Sequence, residues 1–439
     1  MLKTLVGAFK NKDIRKKIFY TLMILVIVRV GSLLPIPGVD TEYFSSLLSG
    51  INTGDLSYLS AFTGGSFERM SLFALSITPY ITSSIIMQLL AIAIPKLEEM
   101  QKEGEDGRKK IAAITRYVTI GLALIESIAM AVGFGRSGLI KGYQGFSTLH
   151  YIVSIIVVVA ALTAGSAMLM WLGERITENG VGNGISIVLL INIISGMPSD
   201  FATLYSTFVA PRTIAKGVLA AAIIIAILVV MVVLVCFLQD GERRIPVQYS
   251  QKVSGRKTFG GQSTNIPLKV NTAGVMPVIF ASSLMQFPVI IAQLFGKSYE
   301  WTRYLSSSYW CRVSAPKYSI GLILYVVLLI IFAYFYTSIT FNPIEVADNL
   351  KKAGGVIPGI TPGKSTSDYL NNILNYIVFV GAVGLLIIAL IPIMCTGFFN
   401  ASVSFGGTSV IIIVGVVLET LKQIESQMVN RYYKGFLSE

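Results

Sequence analysis

Apolar runs of about twenty residues recur along almost the whole chain, and no other feature limits its fold as strongly. They sit near residues 18–34, 71–94, 111–134, 149–172, 185–199, 217–238, 272–295, 318–339, 372–394 and 406–421. Most can cross a hydrocarbon core about 30 Å thick as a helix, the structure that satisfies every backbone N–H and C=O within the segment. The 439 residues are 54 % hydrophobic and 13 % charged, against about 25 % charged in a soluble globule. The expected fold class is therefore an all-α polytopic membrane protein of about ten transmembrane helices. The first run carries Arg29, the fifth is short and the last grades into charged residues, so these three have the weakest boundaries.

Charge sets the orientation. Segments 1–17, 95–110, 173–184, 239–271, 340–371 and the tail after 421 hold roughly 24 Lys and Arg, and the alternate connections hold roughly 9. The positive-inside rule then places the first set and both termini in the cytoplasm. The net charge of +12 is thus concentrated on one face, suited to topology, anionic lipid or a polyanion such as RNA. Residues 10–17, KNKDIRKK, read as part of an amphipathic surface segment. The first span leads into Pro35-Ile36-Pro37 without a small-residue cleavage site, so it is expected to be retained.

One stretch stands apart. Leu56–Leu90 begins weakly apolar, is broken by Gly64 and Gly65, carries Glu68 and Arg69, and continues into a helix seeded with Ser76, Thr78, Thr82, Ser83, Ser84 and Gln88. Broken segments at membrane depth persist where they are buried in protein or line a water-filled cavity, so the stretch points to a path through the membrane. A re-entrant half-helix and a surface-lying helix both fit its first half. Glu126, mid-span in the third run, costs about 2.5–3.5 kcal/mol or more in lipid and is a candidate functional residue; a hydrogen-bonded helix contact is the alternative.

The chemistry that is missing narrows the function. The sequence holds one histidine, His150, and three widely spaced cysteines, Cys236, Cys311 and Cys395, which supply no triad, metal-ligand set or disulfide framework. The run ENGVGNG at 178–184 has a G-x-G spacing but no βαβ context, and reads as a tight turn between helices. Walker, kinase and G-x-S-x-G signatures do not occur, so neither an enzyme nor a cofactor is expected. Two loops of the basic face, 239–271 and 340–371, are long enough to suggest a docked partner.

Several runs resemble the SecY family, the channel subunit of the general protein-secretion pathway. They are PIPG at 35–38, ITPYITSSIIMQLL at 77–90, KEGEDGRKKI at 102–111, MWLGERITENGVGNGIS at 170–186, QSTNIPLKVNTAGVMPVIFASS at 262–283, FNPIEVADNLKKAGGVIPGITPG at 341–363 and FGGTSVIIIVGVVLETLKQIE at 405–425. The resemblance implies two pseudo-symmetric five-helix halves around a central pore, residues 18–199 and 200–421, between an N-terminal segment 1–17 and a tail 422–439. A re-entrant plug half-helix of about 56–70 would close the outer funnel, with Leu59, Phe62, Gly64, Gly65 and Phe67 as its packing and bending residues.

Matched motif to motif, the resemblance implies an aliphatic pore ring of Ile77, Ile81, Ile185, Leu189, Ile279 and Ile412, able to gate by dewetting. It implies a lateral gate between the second and third spans on one side and the seventh and eighth on the other, with Thr82, Gln88, Glu126 and Asn271 along the seam. Docking of the SecA ATPase or the ribosome and its rRNA would fall to Arg243, Arg244, Arg256, Lys257, Lys351, Lys352, Thr361 and Lys364. The implied function is a protein-conducting channel in a bacterial cytoplasmic membrane, with SecE and SecG as partner subunits and with signal peptides, unfolded preproteins and membrane lipids as contacts. Thr361 departs from the family's P-G-I-R-P-G pattern, and a threonine lacks the charged fork of the arginine. A secondary transporter for a small solute is the rival class; it would need polar ligands where the matched waist residues are aliphatic.

Overall fold

A computed structural model describes residues 9–50, 63–135, 148–211, 214–249, 252–254, 257–259, 263–294, 300–306, 309–311, 316–399 and 407–435. Each apolar run overlaps a helix. These are α1 (Lys12–Leu33), α3 (Thr78–Ala93), α5 (Glu105–Gly135), α6 (Thr148–Asn179), α7 (Gly184–Leu204), α8 (Ile214–Asp240), α9 (Met276–Leu294), α10 (Ile320–Thr340), α12 (Lys364–Phe399) and α13 (Gly407–Gly435). Shorter helices are α2 (Thr41–Gly50), α4 (Pro95–Lys102) and α11 (Pro343–Lys352). Among the described residues, six helices are long and apolar enough to cross a membrane, seven if the pair α3 and α4, bent by 106° at Ile94 and Pro95, is taken as one span.

Local chemistry sets the helix ends. Asn183 and Asn342 cap α7 and α11, each side-chain oxygen accepting two backbone N–H groups of the first turn. The 178–184 run makes the tight turn: a Cβ on Gly184 would lie 1.9 Å from the carbonyl oxygen of Gly173, so α6 and α7 approach closely there. The fifth span is longer than its apolar run, because α7 continues past Pro198 and into a π-helical turn, Tyr205–Val209.

The principal helix contacts fall into two sets. In one, α3 packs on α5, α5 on α6, α6 on α7, and α1 on both α6 and α7; in the other, α9 packs on α10, α10 on α12, and α8, α12 and α13 on one another. The sets meet along two lines, α7 against α13 and α5 against α9. Lipid tails are as apolar as the helix surfaces, so such contacts rest on close packing and hydrogen bonds. Ser83 Oγ donates to the Thr115 carbonyl of α5 at 2.8 Å, and Ser127 Oγ and Thr163 Oγ1 of α5 and α6 share a 2.9 Å bond.

Two expectations are corrected. The second span begins at Thr78 rather than residue 71, and the described part of the expected half-helix of about 56–70, residues 63–70, is a succession of turns that continues to residue 77. Gly64 and Gly65 sit at φ +63° and +79°, and Met70 and Ser76 are also left-handed, which breaks any α-helical run. The two basic-face loops carry short strands. Loop 239–271 forms β1 (Glu242–Tyr249), β2 (Lys252–Ser254), β3 (Lys257–Phe259) and β4 (Ser263–Lys269), and loop 340–371 adds β5 (Gly355–Val356). The sheet order is β4-β1-β5, with Tyr249 opposite Gly355. Ile245 and Val247, two apart on β1, turn one face onto Leu350, Ile357, Leu370 and Ile373, so both loops share one apolar core.

Candidate functional site

One hydrophobic cluster, mostly aliphatic, draws on both helix sets. Ile77, Leu189, Ile279 and Ile412 are buried in it, Ile77 and Ile412 to 1 % exposure, and Ile81 and Ile185 pack half-buried against it. Their spacing explains the convergence. Ile77 caps the N-terminus of α3 with Ile81 one turn on, Ile185 and Leu189 lie one turn apart on α7, and α9 and α13 each contribute one residue.

A cavity of about 450 Å³ lies on the basic side of this cluster. Five of the six aliphatics line it, while Ile77 joins the cluster to segment 63–77 behind. The cavity's other walls mix apolar residues such as Val275, Met276 and Leu418 with polar ones, among them Gln88, Gln239 and Asn271, and with the charged Lys269, Glu419 and Lys422. Lys422 Nζ is paired to Asp240 at 2.7 Å. A cavity with polar and charged groups in its wall thus abuts a packed cluster that has none, and an aliphatic constriction of this kind can block ions by dewetting yet part for a chain.

Segment 63–77 is held from four directions. Leu72 N–H donates to the Leu34 carbonyl at 2.9 Å and Ile36 N–H to the Met70 carbonyl at 3.1 Å, tying the segment to the PIPG turn. Asn192 Nδ2 of α7 donates to Ser76 Oγ at 3.1 Å, Ser166 Oγ of α6 to the Ser76 carbonyl at 3.3 Å, and Phe67 meets Phe44 edge to face. Gly64 approaches α7 so closely that a Cβ would fall 2.6 Å from Ser195 Oγ. Gly65 has open space at that position, and Leu59 and Phe62 lie outside the described residues.

The seam residues are placed unevenly. Gln88 and Asn271 line the same cavity. Thr82 Oγ1 donates to the Thr78 carbonyl of its own helix, and Glu126 lies half-buried on α5 away from the cavity. Of the hydroxyls that suggested a path, Ser76 and Ser83 bond neighbouring elements, and Ser84 lines the cavity.

On the basic face, Arg243 and Arg244 project from β1, and Arg244 pairs with Glu242. Lys351 and Lys352 are exposed in the last turn of α11. Thr361 and Lys364 are exposed just before and at the start of α12. Lys257 lies on β3, and Arg256 is outside the described residues. Gln239, near the C-terminus of α8, was not singled out from sequence, because a lone glutamine at a span boundary carries no signal of what it faces.

Fold and site together define a polytopic helical membrane protein with a cavity that abuts an aliphatic constriction, the make-up of a channel. The SecY family model matches residues 71–421. The "Protein translocase subunit SecY" of Streptomyces galbus is 44 % identical and that of Bacillus subtilis 42 %, each over 100 % of both chains. Two solved structures share the fold at 18 % identity. One is described as "The structure of a protein conducting channel", with TM-score 0.61 over 94 % of this chain and 93 % of that one. The other concerns the plug domain of the SecY protein and has TM-score 0.64 over 94 % and 92 %. The chain belongs to the SecY family and is a channel subunit, not an enzyme.

Proposed function

We propose that this channel passes unfolded secretory polypeptides across a bacterial cytoplasmic membrane, through the ring of Ile77, Ile81, Ile185, Leu189, Ile279 and Ile412. One observation carries the reading: five aliphatic side chains from four helices line a cavity on the basic side, and Ile77 packs behind them in the same cluster. Roughly 24 Lys and Arg on that face support a cytoplasmic vestibule and cytoplasmic termini. The stretch of about 56–70, with Leu59, Phe62, Gly64, Gly65 and Phe67, acts as the plug; the Ile36 N–H to Met70 carbonyl bond and the Ser195 to Gly64 contact that hold its described part can be exchanged one at a time. Hydrophobic segments leave sideways between α3 and α5 on one side and α9 and α10 on the other, past Thr82, Gln88, Glu126 and Asn271. Among the described residues, α5 against α9 is the principal helix contact across that line, which supports this exit.

The residue ranges 18–199 and 200–421 act as the two halves of the clamp, consistent with the two contact sets. SecE and SecG are the expected partner subunits. The joined loops, with Arg243, Arg244, Lys351, Lys352 and Lys364, receive SecA or the ribosome; a solved relative is described as Sec61 in a ribosome-channel complex. The test is a precursor stalled in transit, with single cysteines at Ile77 and Ile279. Crosslinks from both to the nascent segment are expected, and a transporter of small solutes would give no adduct.

A further inference from the structure

We infer that Gln88, Gln239 and Asn271 form a main-chain docking girdle in the cavity, which hydrogen-bonds the backbone of an extended polypeptide irrespective of its side chains. The inference rests on the channel reading and deepens it by naming the part of the substrate that is gripped. Three carboxamides reach this one cavity from three separate elements: α3, the end of α8, and the turn between β4 and α9. Each has a buried atom with no hydrogen-bond partner among the described residues, namely Gln88 Oε1, Gln239 Nε2 and Asn271 Nδ2. Asn271 as a whole is only 5 % exposed.

Buried polar atoms are almost always paired, and three of the unpaired ones among the described residues belong to carboxamides that line this one cavity, each shielded from solvent as it stands and able to meet a ligand by turning its amide. The ligand's chemistry follows from the groups. A carboxamide is neutral and, turned either way, offers both donors and an acceptor. Its natural complement is another amide. Neither sign of charge prevails in the lining, because Lys422 is engaged by Asp240 and the other two charged residues, Lys269 and Glu419, are of opposite sign. An extended polypeptide presents an N–H and a C=O at each residue, about every 3.3 Å, whatever its sequence. The cavity volume, about 450 Å³, suits a few extended residues rather than a folded element.

Exchange of a water for a main-chain amide is close to neutral in free energy, so each contact is weak and replaceable. That suits a chain that must slide. Placed just before the aliphatic ring, the girdle would hold the polypeptide extended at the point where side chains must pass one after another.

The test uses the complete channel complex in proteoliposomes. The probe is a neutral eight-residue peptide carrying a photoreactive group, and its counterpart has alternate amides replaced by esters. The ester deletes the N–H donor and weakens the carbonyl acceptor, leaving side chains unchanged. Peptide labelling of the cavity walls should be about fivefold to tenfold stronger than ester labelling, as expected for one or two lost hydrogen bonds. Joint Gln88→Leu, Gln239→Leu and Asn271→Leu should abolish that ratio, while Gln239→Asn with Asn271→Gln should keep it. Equal labelling by both probes in the unsubstituted channel, or a ratio that survives the triple replacement, would overturn the girdle. Precursor transport is measured in the same vesicles, with thermal stability of each variant as the folding control. Transport with equal labelling defeats only the girdle, whereas absence of transport in the unsubstituted channel defeats the channel reading and the girdle with it.

Discussion

Arg29 Nη1 donates to Ser195 Oγ at 2.9 Å, joining two residues 166 positions apart in sequence. The same Ser195 hydroxyl lies 2.7 Å from the Asn192 carbonyl and 3.4 Å from the Gly64 carbonyl, so a guanidinium on α1 braces the turn at the start of segment 63–77 through one side chain of α7. Keeping an arginine in a span is costly, and here its placement is explained by a partner that holds this turn.

Ser195→Ala should loosen that turn. The bond lost on displacement is the neutral one from Ser195 Oγ to the Gly64 carbonyl, of the kind that contributes about 0.5–1.5 kcal/mol, so the displaced form should become roughly two to ten times more populated. Gly64→Ala should act the same way, because its Cβ would meet Ser195 at a left-handed φ of +63°. The measurement is ion conductance of resting channels in planar bilayers; values equal to the parent would mean the segment is held by its other contacts.

Opening the ring should also leak. Ile81→Gly combined with Ile412→Gly removes two aliphatic side chains from the constriction. Resting conductance should rise several-fold, whereas Ile412→Val, a loss of one methylene costing about 0.5–1.5 kcal/mol, should leave the seal intact. Bilayer recordings in which the double variant stays silent would remove these residues from the seal.

The two basic-face loops should fail together. Val247 is fully buried beneath the shared sheet, and β5 pairs directly with β1. Val247→Asp places an unpaired charge there and should cost several kcal/mol locally. Limited proteolysis should then cut both 250–262 and 358–363. Cleavage confined to the first loop would show that the pairing does not couple them.

Thr361→Arg should strengthen transport driven by SecA. Residue 361 is exposed at the loop tip, where Thr366 Oγ1 binds only its carbonyl oxygen, so a guanidinium fork can reach outward without disturbing the turn. The assay is the initial rate of precursor uptake into vesicles; a rate equal to or below the parent's would mean that Lys364 or Lys351 already serves.

Legibility in the sequence followed the range of each interaction. The helices were readable because lipid requires long, continuous apolar runs, and the turn at 178–184 because Asn183 and its glycines act on their immediate neighbours. The ring residues were identified by motif resemblance. Their placement in one cluster depends on α3, α7, α9 and α13 converging, which no local pattern encodes. The plug region misled locally: its composition allows a half-helix, yet the described part is a run of turns shaped by bonds to Leu34, Asn192 and Ser166. The sheet was missed for a similar reason, since β1 gains its buried face only from residues of another loop.

By itself, the sequence determined that this chain lives in a membrane, where its basic face lies, and which family's motifs it carries. Those properties are sums over residues or matches within short windows. Only the tertiary structure decided which polar side chains face a shared cavity, what holds segment 63–77, and that two distant loops form one body. Each depends on where a partner from elsewhere in the chain ends up, and hydrogen bonding and close packing act only over a few ångströms.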